Sequence, residues 1–250
     1  MKKFIPNTFT QLNLFSGCIA VLFAADSNFF LAACFVFLGI FFDFFDGLLA
    51  RKLEVQSDLG IQLDSLADMV TSGLTPGIVM YKLMADSLDL TNTASTSGEW
   101  SDSGLFDGFN LSLLPLVGLF ITLASCYRLA KFNIDEDQQT YFKGLPTPAN
   151  ALLILSLPLI LNFQESELVE NLLSNTWFLI GLTAFSCYIL NADVKLFALK
   201  FKDYSFRSNK IRYILILLSI VLLVLLKFIA VPLIIFIYIV LSIIDNIISK

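Results

Sequence analysis

Residues 43–68 read DFFDGLLARKLEVQSDLGIQLDSLAD. Four aspartates, Asp43, Asp46, Asp64 and Asp68, lie in or beside apolar runs that predict helices. Asp43 and Asp46 are three apart and Asp64 and Asp68 four apart, so each pair shares one face of its helix. Gly47 and Gly60 fall on the same two faces and let a ligand or a neighbouring helix approach the backbone closely. A carboxylate near the middle of a membrane costs about 2.5–3.5 kcal/mol even on a lenient insertion scale. Four of them therefore need cations, a watery cavity, or both.

The surrounding chain makes the membrane the relevant solvent. Of its 250 residues 57% are hydrophobic and 15% charged, with a mean hydropathy of +0.79. A soluble domain carries about 45–50% apolar and about 25% charged residues. Apolar segments of spanning length fall at about 10–26, 29–51, 58–84, 110–132, 147–163, 172–192, 210–227 and 229–247. The expected fold is all-α, a polytopic transmembrane bundle of about eight helices forming one domain over 1–250. Lipid-exposed backbone has to satisfy its own hydrogen bonds, which helices do. Residues 1–13, with Pro6, Asn7, Thr10 and Gln11 among Phe9 and Leu12, predict a short interfacial lead into the first helix.

Charge sets the expected orientation. With the N-terminus in the cytoplasm, the cytoplasmic ends and loops hold Lys2, Lys3, Arg51, Lys52, Arg128, Lys131, Lys143, the cluster from Lys195 to Arg212, and Lys250. Only Lys82 and Lys227 fall on the other side, where the acidic loop residues gather. This positive-inside bias, with an even helix count, puts both termini in the cytoplasm. The expected location is the inner membrane, with the carboxylates toward the cytoplasm. The polar stretch 86–109 reads as an outer loop, and the basic cluster as a topology signal or an attractor of anionic headgroups. No cleavable leader is apparent after Lys2 and Lys3.

The donor set narrows the chemistry. The chain has no histidine, which excludes histidine bases, phosphohistidine, histidine zinc sites and histidine-ligated haem. Its four cysteines form no CxxC pair and read as small buried helix residues. Four converging carboxylates make an oxygen cage suited to Mg²⁺ or Mn²⁺. Two such ions would form a clamp for phosphoryl chemistry. Arg51, at the end of the same helix as Asp43, offers a fork for a phosphate oxygen. These features alone leave open an enzyme or a divalent cation transporter.

The same stretch resembles the signature of the CDP-alcohol phosphotransferase family: D, two residues, DG, two residues, AR, eight residues, G, three residues, D, three residues, D. Asp43, Asp46, Gly47, Ala50, Arg51, Gly60, Asp64 and Asp68 fill every fixed position. The resemblance implies that Asp43, Asp46, Asp64 and Asp68 ligate two divalent ions. It implies further that Asp68 takes the proton of the attacking hydroxyl. Arg51 would act with it, and Asn7, Thr10, Gly47, Arg51, Ser57 and Gly60 would bind the CDP-lipid.

Two other stretches resemble the phosphatidylserine synthase branch of that family. One is Tyr127-Arg128-Leu129-Ala130-Lys131-Phe132-Asn133, and the other runs from Phe142 to Ala149 as FKGLPTPA. Eight helices also suit this branch. The implied reaction joins L-serine to CDP-diacylglycerol, giving phosphatidylserine and CMP. Arg128, Lys131 and Asn133 are the candidate serine contacts. Transfer to glycerol phosphate, inositol phosphate or choline is the alternative, with a cation transporter more distant. A homodimer is expected from the resemblance, and no nucleic-acid partner.

Overall fold

A computed structural model describes residues 4–88, 113–134, 141–164, 167–197 and 210–248. Most of the expected outer loop at 86–109 and most of the basic cluster from Lys195 to Arg212 lie outside them. Helix α1 (Phe4–Ala25) and helix α2 (Phe29–Lys52) form a tightly packed hairpin. Asn28 closes the turn by accepting from the Leu31 N–H at 3.3 Å, while Ser27 takes a left-handed conformation. Helix α1 already includes residues 4–13, which run on into its apolar remainder without a break.

The third expected segment is not one regular helix. It comprises α3 (Asp58–Asp68), a π-helical turn (Met69–Leu74) and α4 (Thr75–Ser87). Ser57 caps α3 by accepting from the Gly60 N–H at 3.2 Å. Pro76 has no N–H to donate back to the preceding turn. The Thr75 N–H reaches Val70 instead, in the wider register, and its hydroxyl bonds the same carbonyl at 3.1 Å.

A 3₁₀ turn (Pro115–Leu119) leads into α5 (Phe120–Ile134). After it come strand β1 (Tyr141–Lys143), α6 (Thr147–Phe163), the short α7 (Glu167–Leu173) and α8 (Thr176–Asn191), the last two meeting at a bend of 78°. Strand β2 (Lys195–Phe197) pairs antiparallel with β1, Lys143 opposite Lys195. This two-stranded ribbon is the one departure from all-α among the described residues.

The chain closes with α9 (Lys210–Leu226) and α10 (Ala230–Ile248), which pack on each other. Their reversal uses Lys227 in a left-handed conformation. Gln164 holds it from the end of α6, donating to the Leu226 carbonyl and accepting from the Ile229 N–H, each at 3.0 Å. Along β2, α10 is tied by the Tyr238 hydroxyl to the Phe197 carbonyl at 3.0 Å and by Asn246 to the Lys195 carbonyl.

Among the described residues, four helical runs are long and apolar enough to cross a membrane, with α9 and α10 counted together as Ile211–Ile247, or five counting the bent α7–α8 pair. The chain is thus a multi-pass helical bundle. The α3–α4 segment is not among them, and α6 is shorter than that criterion requires. The main core joins Ala20, Ala24, Ala32 and Val36 to Val79, Met80, Met84, Ile121, Ile154 and Leu179. Small residues on α1 and α2 let the backbones approach, the usual basis of packing where lipid gives no hydrophobic contrast. A second cluster, Leu145, Leu153, Ile189, Leu196, Ile235 and Ile239, fastens the ribbon and α10 to the bundle.

Candidate active site

The last turns of α2 lead through a reversal at residues 53–57 into α3, and both helices pack against α1. The Leu53, Glu54 and Val55 N–H groups bond back to the Leu49, Arg51 and Ala50 carbonyls, and Glu54 adopts φ 52° to turn the chain. The reversal sets Asp43 beside Asp64 and Asp68. Ligand oxygens of Asp43, Asp64 and Asp68 lie within 4.8 Å of one another.

Asp46, 6% exposed, is not one of that trio. Its Oδ2 accepts from the Thr10 hydroxyl at 2.6 Å, so the first helix secures it. Asp68 is held from the same helix, where Asn13 Nδ2 donates to its Oδ1 at 3.1 Å. Asp64 Oδ1 is buried and accepts no hydrogen bond.

A cavity of about 250 Å³ opens beside this cluster. Pro6, Asn7 and Thr10 line it from α1, and Asp46, Gly47, Ala50 and Arg51 from α2. Val55, Gln56 and Ser57 follow from the reversal, and Gly60, Ile61 and Asp64 from α3. Every expected CDP-lipid contact therefore borders one space, with Asp46 and Asp64 on its wall. The Arg51 guanidinium lies over Gly47, 4.0 Å from where a Cβ would stand.

The expected acceptor residues divide. Arg128, 8% exposed, and Lys131 line a second, much smaller cavity with Phe132, Lys143, Leu190, Asn191 and Ala192. Arg128 is within electrostatic range of Asp68, and its Nε is buried without a hydrogen-bond partner. Lys131 pairs with Asp193 at 3.3 Å. Asn133 lies elsewhere: its amide exchanges hydrogen bonds with the Ser65 hydroxyl at 2.9 and 3.1 Å, bracing α5 against α3. Asn13, Gln56 and Lys143 were not singled out as site residues by sequence reading. Asn13 had a signal, a polar side chain within an apolar helix.

The trio suits a hard divalent cation. All its donors are oxygens, one buried oxygen has no partner, and no lysine lies among them. Such a cluster would be costly to ionise without a countercharge, and carboxylate oxygens are the ligands Mg²⁺ and Mn²⁺ take. The adjoining cavity, bordered by an arginine and by backbone without side chains at Gly47 and Gly60, suits a phosphate-bearing ligand.

Comparison with known proteins agrees in kind. The family described as CDP-alcohol phosphatidyltransferase matches residues 3–188. The CDP-diacylglycerol–serine O-phosphatidyltransferase of Bacillus subtilis is 32% identical over 164 residues, 64% of this chain and 78% of the relative. The enzyme of the same name from Methanocaldococcus jannaschii is 30% identical over 182 residues, 73% of this chain and 71% of that protein. The archaetidylserine synthase of Methanothermobacter thermautotrophicus is 29% identical over 164 residues, 64% of this chain and 60% of the relative.

Proposed function

The chain belongs to the CDP-alcohol phosphatidyltransferase family, and on that footing we propose that it transfers the phosphatidyl group of CDP-diacylglycerol to L-serine, giving phosphatidylserine and CMP. One observation carries the reading: Asp64, clustered with Asp43 and Asp68, lines the cavity bordered by Arg51, Gly47 and Asn7. The names of the relatives support serine as the acceptor.

The cofactor in this reading is a pair of Mg²⁺ or Mn²⁺ ions held by Asp43, Asp64 and Asp68, with Asp46 at the cavity edge. When bound, they would neutralise the diphosphate and polarise the phosphorus under attack. The cytidine diphosphate enters the larger cavity, with Asn7, Thr10, Ser57 and Gly60 around it. The Arg51 fork takes non-bridging phosphate oxygens and steadies the charge that gathers on departing CMP. Arg128, whose buried Nε has no hydrogen-bond partner, draws the serine carboxylate, which brings the serine hydroxyl toward Asp68. Asp68 accepts the hydroxyl proton as the oxygen attacks the lipid-linked phosphorus. The new P–O bond forms as the bond to CMP breaks, and the proton then leaves Asp68 for solvent. No covalent enzyme intermediate is needed.

Residues 1–250 act as one domain in this account, and the active site faces the cytoplasm of the inner membrane, as the distribution of Lys and Arg favours. A homodimer completes the reading, drawn from the family resemblance.

An acceptor panel tests the proposal. Purified protein, CDP-diacylglycerol and Mn²⁺ or Mg²⁺ are offered serine, glycerol 3-phosphate, inositol phosphate and choline in turn. CMP release with serine alone is the expected result. Release only with another alcohol would move the chain to that branch, and ion flux without CDP-lipid would point to transport. Arg128→Ala is expected to raise the KM for serine far more than that for the CDP-lipid; equal effects would remove Arg128 from the acceptor site.

A further inference from the structure

The acid cluster is braced from outside its own two helices. Asn13 on α1 and Thr71 on the π turn are both fully buried. Asn13 donates to Asp68 Oδ1 through Nδ2, and its own Oδ1 accepts from the Thr71 hydroxyl at 2.8 Å. The same hydroxyl lies 3.2 Å from the Asn13 carbonyl. The opposite amide orientation would turn Oδ1 on the Asp68 carboxylate, acceptor against acceptor. Both ends of the amide are therefore specified.

Neighbouring backbone leaves the pair no slack. A Cβ at Gly39 on α2 would lie 2.6 Å from Thr71 Cγ2 and 2.8 Å from Asn13 Oδ1. One at Gly17 on α1 would come within 3.0 Å of the Thr71 backbone. Two helices and the π turn thus close around one polar pair. Burying these groups is tolerable only because each is hydrogen-bonded. The π turn begins directly after Asp68, and its wider register carries Thr71 into reach of α1. Such turns are frequent at functional sites.

The geometry points to Asn13 as a positioning residue, oriented by Thr71, that occupies one oxygen of Asp68 and leaves the other for the centre shared with Asp43 and Asp64. This rests on the metal-dependent transferase reading. Asn13 acts through Asp68 rather than on substrate, so its loss should appear in metal binding and in kcat, and little in the KM for CDP-lipid.

The test uses the full chain in detergent, with Asn13→Leu, Thr71→Val and Thr71→Ser. Binding of Mn²⁺ is read from the electron paramagnetic resonance of the free ion without substrate, and kcat and KM from CMP release. Outer-shell partners of metal ligands are typically worth about 10–100-fold in affinity or activity. Asn13→Leu should weaken Mn²⁺ binding and lower kcat within that range. Thr71→Val should do so about tenfold, and Thr71→Ser, which keeps the hydroxyl, should stay within about threefold of the parent. Parent-like Mn²⁺ binding and turnover in Asn13→Leu and Thr71→Val would overturn the inference. Equal losses in Thr71→Val and Thr71→Ser would also overturn it, since packing rather than the hydroxyl would then be responsible. If Asn13→Leu fails to fold, the two Thr71 variants decide. A parent that binds no Mn²⁺ and releases no CMP would sink the transferase reading and this inference together.

Discussion

Thr10 gives a sharp way to ask whether the first helix builds the site or merely borders it. Its hydroxyl donates to Asp46 Oδ2 at 2.6 Å, and both residues are buried. Thr10→Val keeps the shape and removes the donor. A hydrogen bond to a charged group contributes about 1.5–3 kcal/mol, and the carboxylate oxygen would be left without that partner. If Asp46 must be held ionised for transfer, that loss appears in the transition state and lowers kcat/KM by about 10- to 150-fold. Thr10→Ser retains the donor and should stay within about threefold of the parent. Initial rates of CMP release at varied CDP-diacylglycerol, with serine and Mn²⁺ saturating, measure both. Thermal melting in detergent checks that each variant is folded. A folded Thr10→Val enzyme within about twofold of the parent would refute the reasoning, because the bond would then contribute nothing to catalysis.

Two further variants probe the scaffold. Gly39→Ala puts a methyl 2.6 Å from Thr71 Cγ2 and should destabilise the fold by about 1–3 kcal/mol, the usual cost of overpacking; an unchanged melting temperature in detergent would contradict this. Gln164→Leu removes both hydrogen bonds that hold the α9–α10 reversal. It should cost about 1–3 kcal/mol and speed proteolytic cleavage near Lys227, while parent-like cleavage would show that apolar packing alone holds the hairpin. Chelation by EDTA should abolish CMP release and Mn²⁺ should restore it; turnover that persists in EDTA would remove the cofactor from the account.

Much of the site was legible because its residues are close in sequence. Asp43, Asp46, Gly47, Arg51, Gly60, Asp64 and Asp68 occupy two successive helices, so helical periodicity and one reversal suffice to bring them together. Thr10 to Asp46 and Asn13 to Asp68 join residues 36 and 55 apart. Such pairings depend on how α1 crosses its neighbours, and no local pattern encodes that. Asn133 shows the opposite hazard. It follows Arg128 and Lys131 in one motif, yet a helix sends its residues in several directions, and Asn133 meets Ser65 instead.

The expected spans correspond to helices along the described chain, with differences where polar physics intervenes. The segment expected at 58–84 breaks at the π turn, for which Pro76 was the visible signal. The segment expected at 172–192 starts as a separate short helix bent by 78° from α8. The β1–β2 ribbon has strands of three residues, too short for alternation to be read. Its partners, the Leu190 region and α10, are distant in sequence. Gly144 takes φ 73° and donates to the Val194 carbonyl at 3.0 Å, a role that the FKGLPTPA stretch alone did not reveal.

The most direct test of the central claim is anomalous diffraction from crystals of the full chain grown with Mn²⁺. The account predicts anomalous density within coordination distance of the Asp43, Asp64 and Asp68 oxygens, lost in Asp64→Asn. Mn²⁺ bound elsewhere, with this cluster empty in protein that still transfers the phosphatidyl group, would contradict it.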